Sequence, residues 1–259
     1  MIESLLLAVT RVTTRLGDAE LTGATGFFFE RDGRLFLVTA RHVVLDEANG
    51  HRPDSLLIEL HVDPDDVAQT APFSIPLHRD EAPVWRQAND AGGDIDVVAI
   101  ELDRSELPET LATRPFTVAH LLRKLDEIEV GTPVLIVGFP LGFHDALHRL
   151  PVARQAVIAS AFGMRFQGHG YFLTDARTHR GTSGAPVVTR DASRPSDREE
   201  LAWRLLGVHS SRLDMSHRDL HEDGHLDLNC AWYADVLLVL TDKASTEEQG
   251  EASAEAEGP

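Results

Sequence analysis

Tyr171-Phe-Leu-Thr-Asp-Ala-Arg-Thr-His-Arg-Gly-Thr-Ser-Gly-Ala-Pro-Val-Val188 is the most informative stretch of this 259-residue chain. An apolar run enters a polar loop, the loop carries Gly181-Thr182-Ser183-Gly184-Ala185-Pro186, and a second apolar run follows. Glycines on both sides of a serine permit backbone angles that aim successive N–H groups at one point. The amides of Gly181 and Ser183 then form a candidate oxyanion hole beside the Ser183 hydroxyl. The pattern differs from the Gly-x-Ser-x-Gly elbow of α/β-hydrolases, because Gly184 follows the serine directly.

A serine nucleophile needs a base. Val38-Thr39-Ala40-Arg41-His42-Val43-Val44 offers His42 at the end of an apolar run. Gly92-Gly93-Asp94-Ile95-Asp96-Val97-Val98-Ala99-Ile100 offers an acid at the mouth of another. A carboxylate there would accept the Nδ1 proton of His42 and leave Nε2 free as the base. Asp94 and Asp96 are both candidates, since residues two apart on a strand face the same side. Choosing Asp94 would put Asp96 inside the buried run, at a desolvation cost.

Around these segments, short runs rich in Val, Ile, Leu and Phe recur between Gly, Pro, Asp and Asn. They include Leu5–Thr13, Gly26–Glu30, Leu35–Thr39, Leu56–Val62, Val134–Gly138, Val152–Ser160, Leu205–Val208 and Asn229–Tyr233. This is an all-β signature with too many strands for one small barrel, so two packed barrels are expected. Asp32-Gly33 reads as a hairpin turn. Two segments read as helix: Val118–Ile128, with Val118, Leu121, Leu122 and Leu125 on one stripe, and Ala234–Lys243, with its acid early and its base late. The first would connect the barrels; the second would pack on the second half.

The three segments stand in the order His, Asp, Ser, and here the chain resembles the trypsin-like (chymotrypsin-fold) serine proteases. The likeness is to the bacterial HtrA-type and glutamyl-endopeptidase-like branch. Thr39-Ala-Arg-His42 is similar to the histidine motif, Leu173-Thr-Asp-Ala176 with Gly181–Pro186 to the serine motif, and Val134–Gly142 to the opening of the second barrel. The resemblance implies an all-β fold of two packed antiparallel six-stranded barrels. Residues 1–110 would form the first, 111–130 the connector helix, 131–243 the second barrel with its terminal helix, and 244–259 a disordered acidic tail. It also implies Ser183 as nucleophile, His42 as general base and acid, and an orienting acid followed by unbroken apolar residues. Asp96-Val-Val-Ala-Ile100 meets that pattern, so Asp96 is preferred to Asp94.

The departures from the family pattern are specific. Thr182 stands where relatives activated by cleavage carry an Asp, so activation by a new N-terminus is not expected, and no PDZ domain is expected after the protease. By the same resemblance the pocket for the residue before the scissile bond is built from Arg177, Thr178, His209, Ser210 and Arg212. A His in the strand and a hydroxyl beside the pocket base are similar to glutamyl endopeptidases, and two Arg would favour a carboxylate. Cleavage after Glu is therefore the expected preference, and a pocket for small apolar residues is the alternative. A catalytically idle or partner-activated module that binds peptides is the alternative function.

Composition restricts the rest. The 24 basic and 42 acidic side chains give a net charge of −18, the wrong sign for nucleic acid or an anionic membrane. One Cys precludes an intramolecular disulfide, and no secretory signal or long apolar run is visible, so a cytoplasmic location is expected. His217, His221 and His225 recur every four residues, a spacing that can gather imidazoles around zinc on a helix. Gly224 interrupts that stretch, so a solvated charged loop is expected, with no metal and no cofactor. His144, Asp145 and His148 fall in a surface loop, Cys230 reads as a small buried hydrophobe, and Asp191–Glu200 reads as a long hairpin loop. The expected partners are a protein or peptide substrate and a regulatory protein.

Overall fold

The computed structural model describes residues 2–122, 124, 128–194, 200–212 and 227–243. The expected histidine loop at 217–225 and the acidic tail at 244–259 lie outside them. In the first half, β1 (Val9–Leu16), β2 (Ala19–Arg31), β3 (Arg34–Thr39), β4 (Ser55–His61) and β5 (Thr70–Pro76) are followed by short strands. These are β6 (His78–Arg79), β7 (Ala82–Pro83), β8 (Trp85–Arg86), β9 (Asn89–Asp90) and β10 (Gly93–Asp94), then β11 (Val98–Leu102) and β12 (Phe116–Thr117). The main sheet runs β5–β4–β1–β2–β3–β11–β8, with β12 added alongside β2. It has eight strands where six were expected.

Period-two patterning sets the inner face of this sheet: in β4, Leu56, Ile58 and Leu60 are buried while Ser55, Leu57 and Glu59 are only half-buried. The sheet rolls on itself, since Ile75 of β5 and Trp85 of β8 share one core with Val12, Leu37 and Ile100. Between those two strands, the Val84 N–H donates to the Leu77 carbonyl at 3.0 Å and extends the β6–β7 hairpin by one pair. At the β2–β3 turn Asp32 (φ 52°) and Gly33 (φ 76°) both take left-handed angles, as a two-residue type I′ hairpin requires.

The second half forms a closed six-stranded barrel. Its strands are β13 (Pro133–Gly138), β14 (Val152–Ile158), β15 (Tyr171–Asp175), β16 (Pro186–Arg190), β17 (Trp203–Arg212) and β18 (Leu228–Tyr233), in the order β13–β14–β15–β18–β17–β16. Val134, Ile136, Ile158, Phe172, Val187 and Leu206 fill it. Between the barrels lies a third core. Phe27, Phe29, Val38 and Ala99 enter it from the first barrel, and Val137, Phe139, Val188, Val208 and Trp232 from the second. β2, β3 and β11 are therefore buried on both faces, which explains why their sequences are nearly continuous apolar runs rather than alternating ones.

Two expectations are refined. Among the described residues of the segment expected as the connector helix over 118–128, Val118–His120 forms a 3₁₀ turn and Leu121 leaves it. Leu121 then bridges to Leu205 and enters the interbarrel core, Leu122 packs on the second barrel's core, and Val118 stays exposed. The apolar stripe thus serves separate sites instead of one helix face, and long-range burial outweighs local periodicity. Residues 123 and 125–127 of that segment lie outside the description. The terminal helix is Val236–Leu240, shorter than expected. Its carbonyl end is held by the first barrel: Arg31 donates to Leu238 O (2.5 Å), Arg34 to Thr241 O (2.6 Å) and Arg86 to Asp242 O (2.8 Å). Cations there complement the exposed carbonyls of the helix end.

Candidate active site

His42 and Asp96 come from adjoining strands. β3 ends at Thr39, and a short helical turn over Arg41–Val44 presents His42. β11 pairs with β3 so that Val98 faces Thr39, which brings Asp96, two residues earlier, beside that turn. Asp96 then takes three donors. The His42 main-chain N–H reaches Oδ1 at 2.8 Å, His42 Nδ1 reaches Oδ2 at 2.7 Å, and Ser210 Oγ donates to Oδ2 at 2.5 Å. Asp94 instead faces Arg41 at 3.5 Å on the exposed rim.

The charges of this pair reinforce one another. Burial alone would lower the His42 pKa, but the hydrogen bond and charge of Asp96, with a contribution from Asp46, raise it above 6.5. Burial would raise the Asp96 pKa, but His42 and Ser210 hold it below the usual carboxylate value. With a carboxylate as acceptor, Nδ1 carries the proton and Nε2 is the basic nitrogen.

Ser183 sits in the loop between β15 and β16. Gly181 (φ 91°) and Gly184 (φ 84°) adopt left-handed angles, and neither has room for a side chain. A Cβ on Gly181 would strike the Phe139 carbonyl. One on Gly184 would strike Thr25 O and Thr39 Oγ1 and lie 3.0 Å from Ala40 N, two residues before His42. The serine loop is thereby pressed against the segment that carries the histidine.

The backbone amides of this loop divide into two groups. Thr182 N–H donates to His179 O (3.2 Å), Gly184 N–H to His209 O (2.8 Å) and Ala185 N–H to Thr182 O (3.0 Å). The N–H groups of Gly181 and Ser183 donate to no acceptor among the described residues. Two unengaged amides separated by one residue beside a serine hydroxyl are the elements of an anion-stabilising site. The Ser183 hydroxyl itself donates to the Ser210 carbonyl at 3.1 Å.

The expected pocket residues separate. Thr178 and His209 are buried, whereas Arg177 is exposed rather than at a pocket base. Its neighbours Ala176 and Thr178 take the inward positions, so the alternation of an extended segment turns Arg177 outward. The Ser210 side chain is committed to Asp96 rather than to the pocket, and Arg212 is placed only by its backbone pairing with Asn229. Asn229, not anticipated from sequence, joins the buried polar wall. Thr178 Oγ1 donates to its Oδ1 at 2.5 Å, while its Nδ2 donates to Ala176 O at 2.6 Å and Asp227 O at 2.9 Å. Elsewhere, Asp145 holds His148 Nδ1 at 2.7 Å on the surface, and burial pushes the Cys230 thiol up to about 11, which makes it a poor nucleophile. Among the described residues no three His, Cys, Asp or Glu side chains gather as metal ligands.

Residues 24–194, about two thirds of the chain, match the family model described as a trypsin-like peptidase domain. The chain belongs to this trypsin-like peptidase family. Its fold is that of solved trypsin-like proteases at low identity. An HtrA-type protease, AlgW with a tripeptide, aligns at TM-score 0.52 and 15% identity, covering 90% of this chain and 58% of that one. The serine endoprotease from Yersinia pestis aligns at TM-score 0.54 and 14% identity, covering 95% and 65%. Rv3671c from M. tuberculosis H37Rv, an inactive serine-to-alanine form, aligns at TM-score 0.51 and 16% identity, covering 98% and 90%. The chain therefore spans less than two thirds of the first two structures. No curated protein matches the sequence.

Proposed function

We propose that this trypsin-like domain is a serine endopeptidase acting through an acyl-enzyme on Ser183. The observation that carries the reading is the double hold of Asp96 on His42, next to a loop in which the Gly181 and Ser183 amides lack acceptors. Ser183 Oγ attacks the peptide carbonyl as its proton passes to His42 Nε2, and the new oxyanion accepts from those two amides. The C–N bond then breaks, His42 returns the proton to the leaving amine, and water repeats the sequence to release the acid. Asp96 orients the imidazole and stabilises the imidazolium. A fluorophosphonate probe tests this: labelling of Ser183, lost in Ser183→Ala and His42→Ala, is expected, and an unlabelled wild-type chain contradicts it.

A partner-activated or idle binding module is the second reading, favoured by one observation: the Ser183 hydroxyl is turned toward Ser210 O. In the first reading a change of χ1 turns it toward His42 when substrate arrives; in the second, a partner must cause that change.

For specificity we propose cleavage after Glu, with His209 as the principal recognition group. Arg177 points elsewhere, and the Thr178 proton is already given to Asn229. Of the remaining described side chains, a carboxylate would draw on His209 or displace the Thr178–Asn229 bond, and Arg212 stays a candidate beside them. A peptide-library digest cutting mainly after Lys, Leu or Val overturns this preference. The reading also places the protein in the cytoplasm, with a regulatory protein as partner. One Cys leaves no intramolecular disulfide that an oxidising compartment would serve.

A further inference from the structure

Thr25 belongs to β2 of the first barrel, yet two of its polar atoms, N and Oγ1, make three hydrogen bonds into the second. Its side chain is fully buried. Phe139 N–H donates to its Oγ1 at 3.1 Å, and Oγ1 donates to Gly181 O at 2.7 Å. The direction is fixed by valence, since an amide can only donate and a hydroxyl has one proton to give. The Thr25 N–H donates to Ser183 O at 2.9 Å, and its carbonyl accepts from Thr39 Oγ1 at 2.8 Å, three residues before His42. Glycine at 138 is what lets the hydroxyl in, because a Cβ there would lie 2.6 Å from Thr25 Oγ1.

These bonds bear on the two unengaged amides. In a trans peptide the C=O and N–H point in opposite directions. Leu141 N–H holds Arg180 O at 2.6 Å, which directs the Gly181 N–H away from Leu141. Thr25 Oγ1 holds the next carbonyl, Gly181 O, so the peptides on both sides of Gly181 are pinned. Leu141 thus holds the plane that carries the Gly181 N–H, Thr25 holds the next plane, which leads through Thr182 to Ser183, and the left-handed freedom of Gly181 between them would let the two planes turn against each other if the second were released.

We infer that Thr25 is a positioning residue for the oxyanion-stabilising segment, its hydroxyl holding the Gly181–Thr182 peptide that links the Gly181 and Ser183 amides so that the two keep one relative orientation. This rests on the proposed serine-peptidase reading, and it assigns a first-barrel residue to the geometry of a second-barrel loop. A hydroxyl acting through transition-state geometry affects kcat more than KM.

The test uses Thr25→Val, which keeps shape and removes the hydroxyl, Thr25→Ala as a smaller second variant, and Thr25→Ser, which keeps the hydroxyl. Thr25→Val and Thr25→Ala are expected to lower kcat by about 10–100-fold with KM within about 2-fold, a partial loss of what an oxyanion donor supplies. Thr25→Ser should stay within about 3-fold of wild type. Hydrogen exchange over residues 178–185 of the full chain should quicken in the first two variants and not in the serine variant. Wild-type kcat and exchange in Thr25→Ala overturn the inference, as does an equal kcat loss in Thr25→Ser. If the wild-type chain hydrolyses nothing, the peptidase reading fails separately, and unchanged exchange over 178–185 then overturns the anchor as well.

Discussion

The two halves of the candidate site are held differently. On the first-barrel side, Asp96 fixes His42 through main chain and ring at once, and Ser210 adds a third donor to the same carboxylate. On the second-barrel side, the serine loop fixes its carbonyls at Arg180, Gly181 and Ser183 and leaves two amides without acceptors. The base therefore stands fully oriented, while the Ser183 hydroxyl points at Ser210 O. Orientation of the proposed base rests on first-barrel bonds with one added donor, Ser210, from the second barrel; placement of the proposed nucleophile depends on the junction between both.

The largest effects should come from removing members of the first arrangement or the nucleophile itself. Ser183→Ala and His42→Ala are expected to reduce kcat on the order of 10⁴-fold or more without unfolding the chain, as measured by peptide hydrolysis beside circular dichroism. Asp96→Asn should cost roughly 10⁴-fold, because the amide stabilises the wrong imidazole tautomer. Asp94→Asn, which disturbs an exposed Arg41 contact and a bond from the Asn89 amide, should remain within about 2-fold of wild type, in keeping with the small value of such surface contacts. Equal losses in the two variants would break the distinction between Asp96 and its neighbour.

How far the sequence foretells this site follows from the range of the interactions. Asp96 could be preferred to Asp94 because Asp96-Val-Val-Ala-Ile100 matches the family pattern of an acid followed by unbroken apolar residues, and because choosing Asp94 would bury Asp96 in that run, arguments that need no coordinates. The hairpin at Asp32-Gly33 is equally local. Thr25 could not be found in this way: its partners Phe139, Gly181, Ser183 and Thr39 are far away in sequence, and a threonine in a strand signals nothing. The same holds for Ser210, read as a pocket residue until the barrel brings it to Asp96, and for Asn229, hidden in an apolar run. The apolar stripe at the start of the connector differs from its expected helix face for the opposite reason. Its periodicity is real, but Leu121 and Leu122 are claimed by different cores. The rolled eight-stranded sheet exceeds the expected six through pairs as short as two residues, below what period-two patterning can reveal.

Smaller effects should appear at the junction. Gly184→Ala forces a Cβ into Thr25 O and Thr39 Oγ1 at a left-handed backbone angle, and is expected to destabilise the chain by about 1–3 kcal/mol in chemical denaturation. A wild-type denaturation midpoint would show that the serine loop is not clamped there.

The pH dependence sharpens the contrast further. His42, raised above 6.5, contributes stability that is complete below its unfolded value and is lost as pH rises through its native one. Asp96, lowered below 3.8, contributes stability present above its unfolded value and lost as pH falls through its native one. The pair is tightest between those limits. On the proposed mechanism, activity has the opposite dependence on His42, since the base must be neutral. On that mechanism the acid limb of kcat/KM should therefore be centred above the ordinary histidine value, and one centred below that value would contradict the Asp96 effect. Smallest of all, Arg177→Ala should leave the cleavage preference unchanged in a peptide-library digest, because that side chain faces outward.

Intact-mass spectrometry of the full chain after fluorophosphonate treatment, followed over pH, tests the central claim most directly. The account predicts a single adduct mapped to Ser183, formed at a rate that rises with pH through a midpoint above 6.5 and absent from His42→Ala. No adduct, an adduct at another residue, or one formed equally fast without His42 would contradict it.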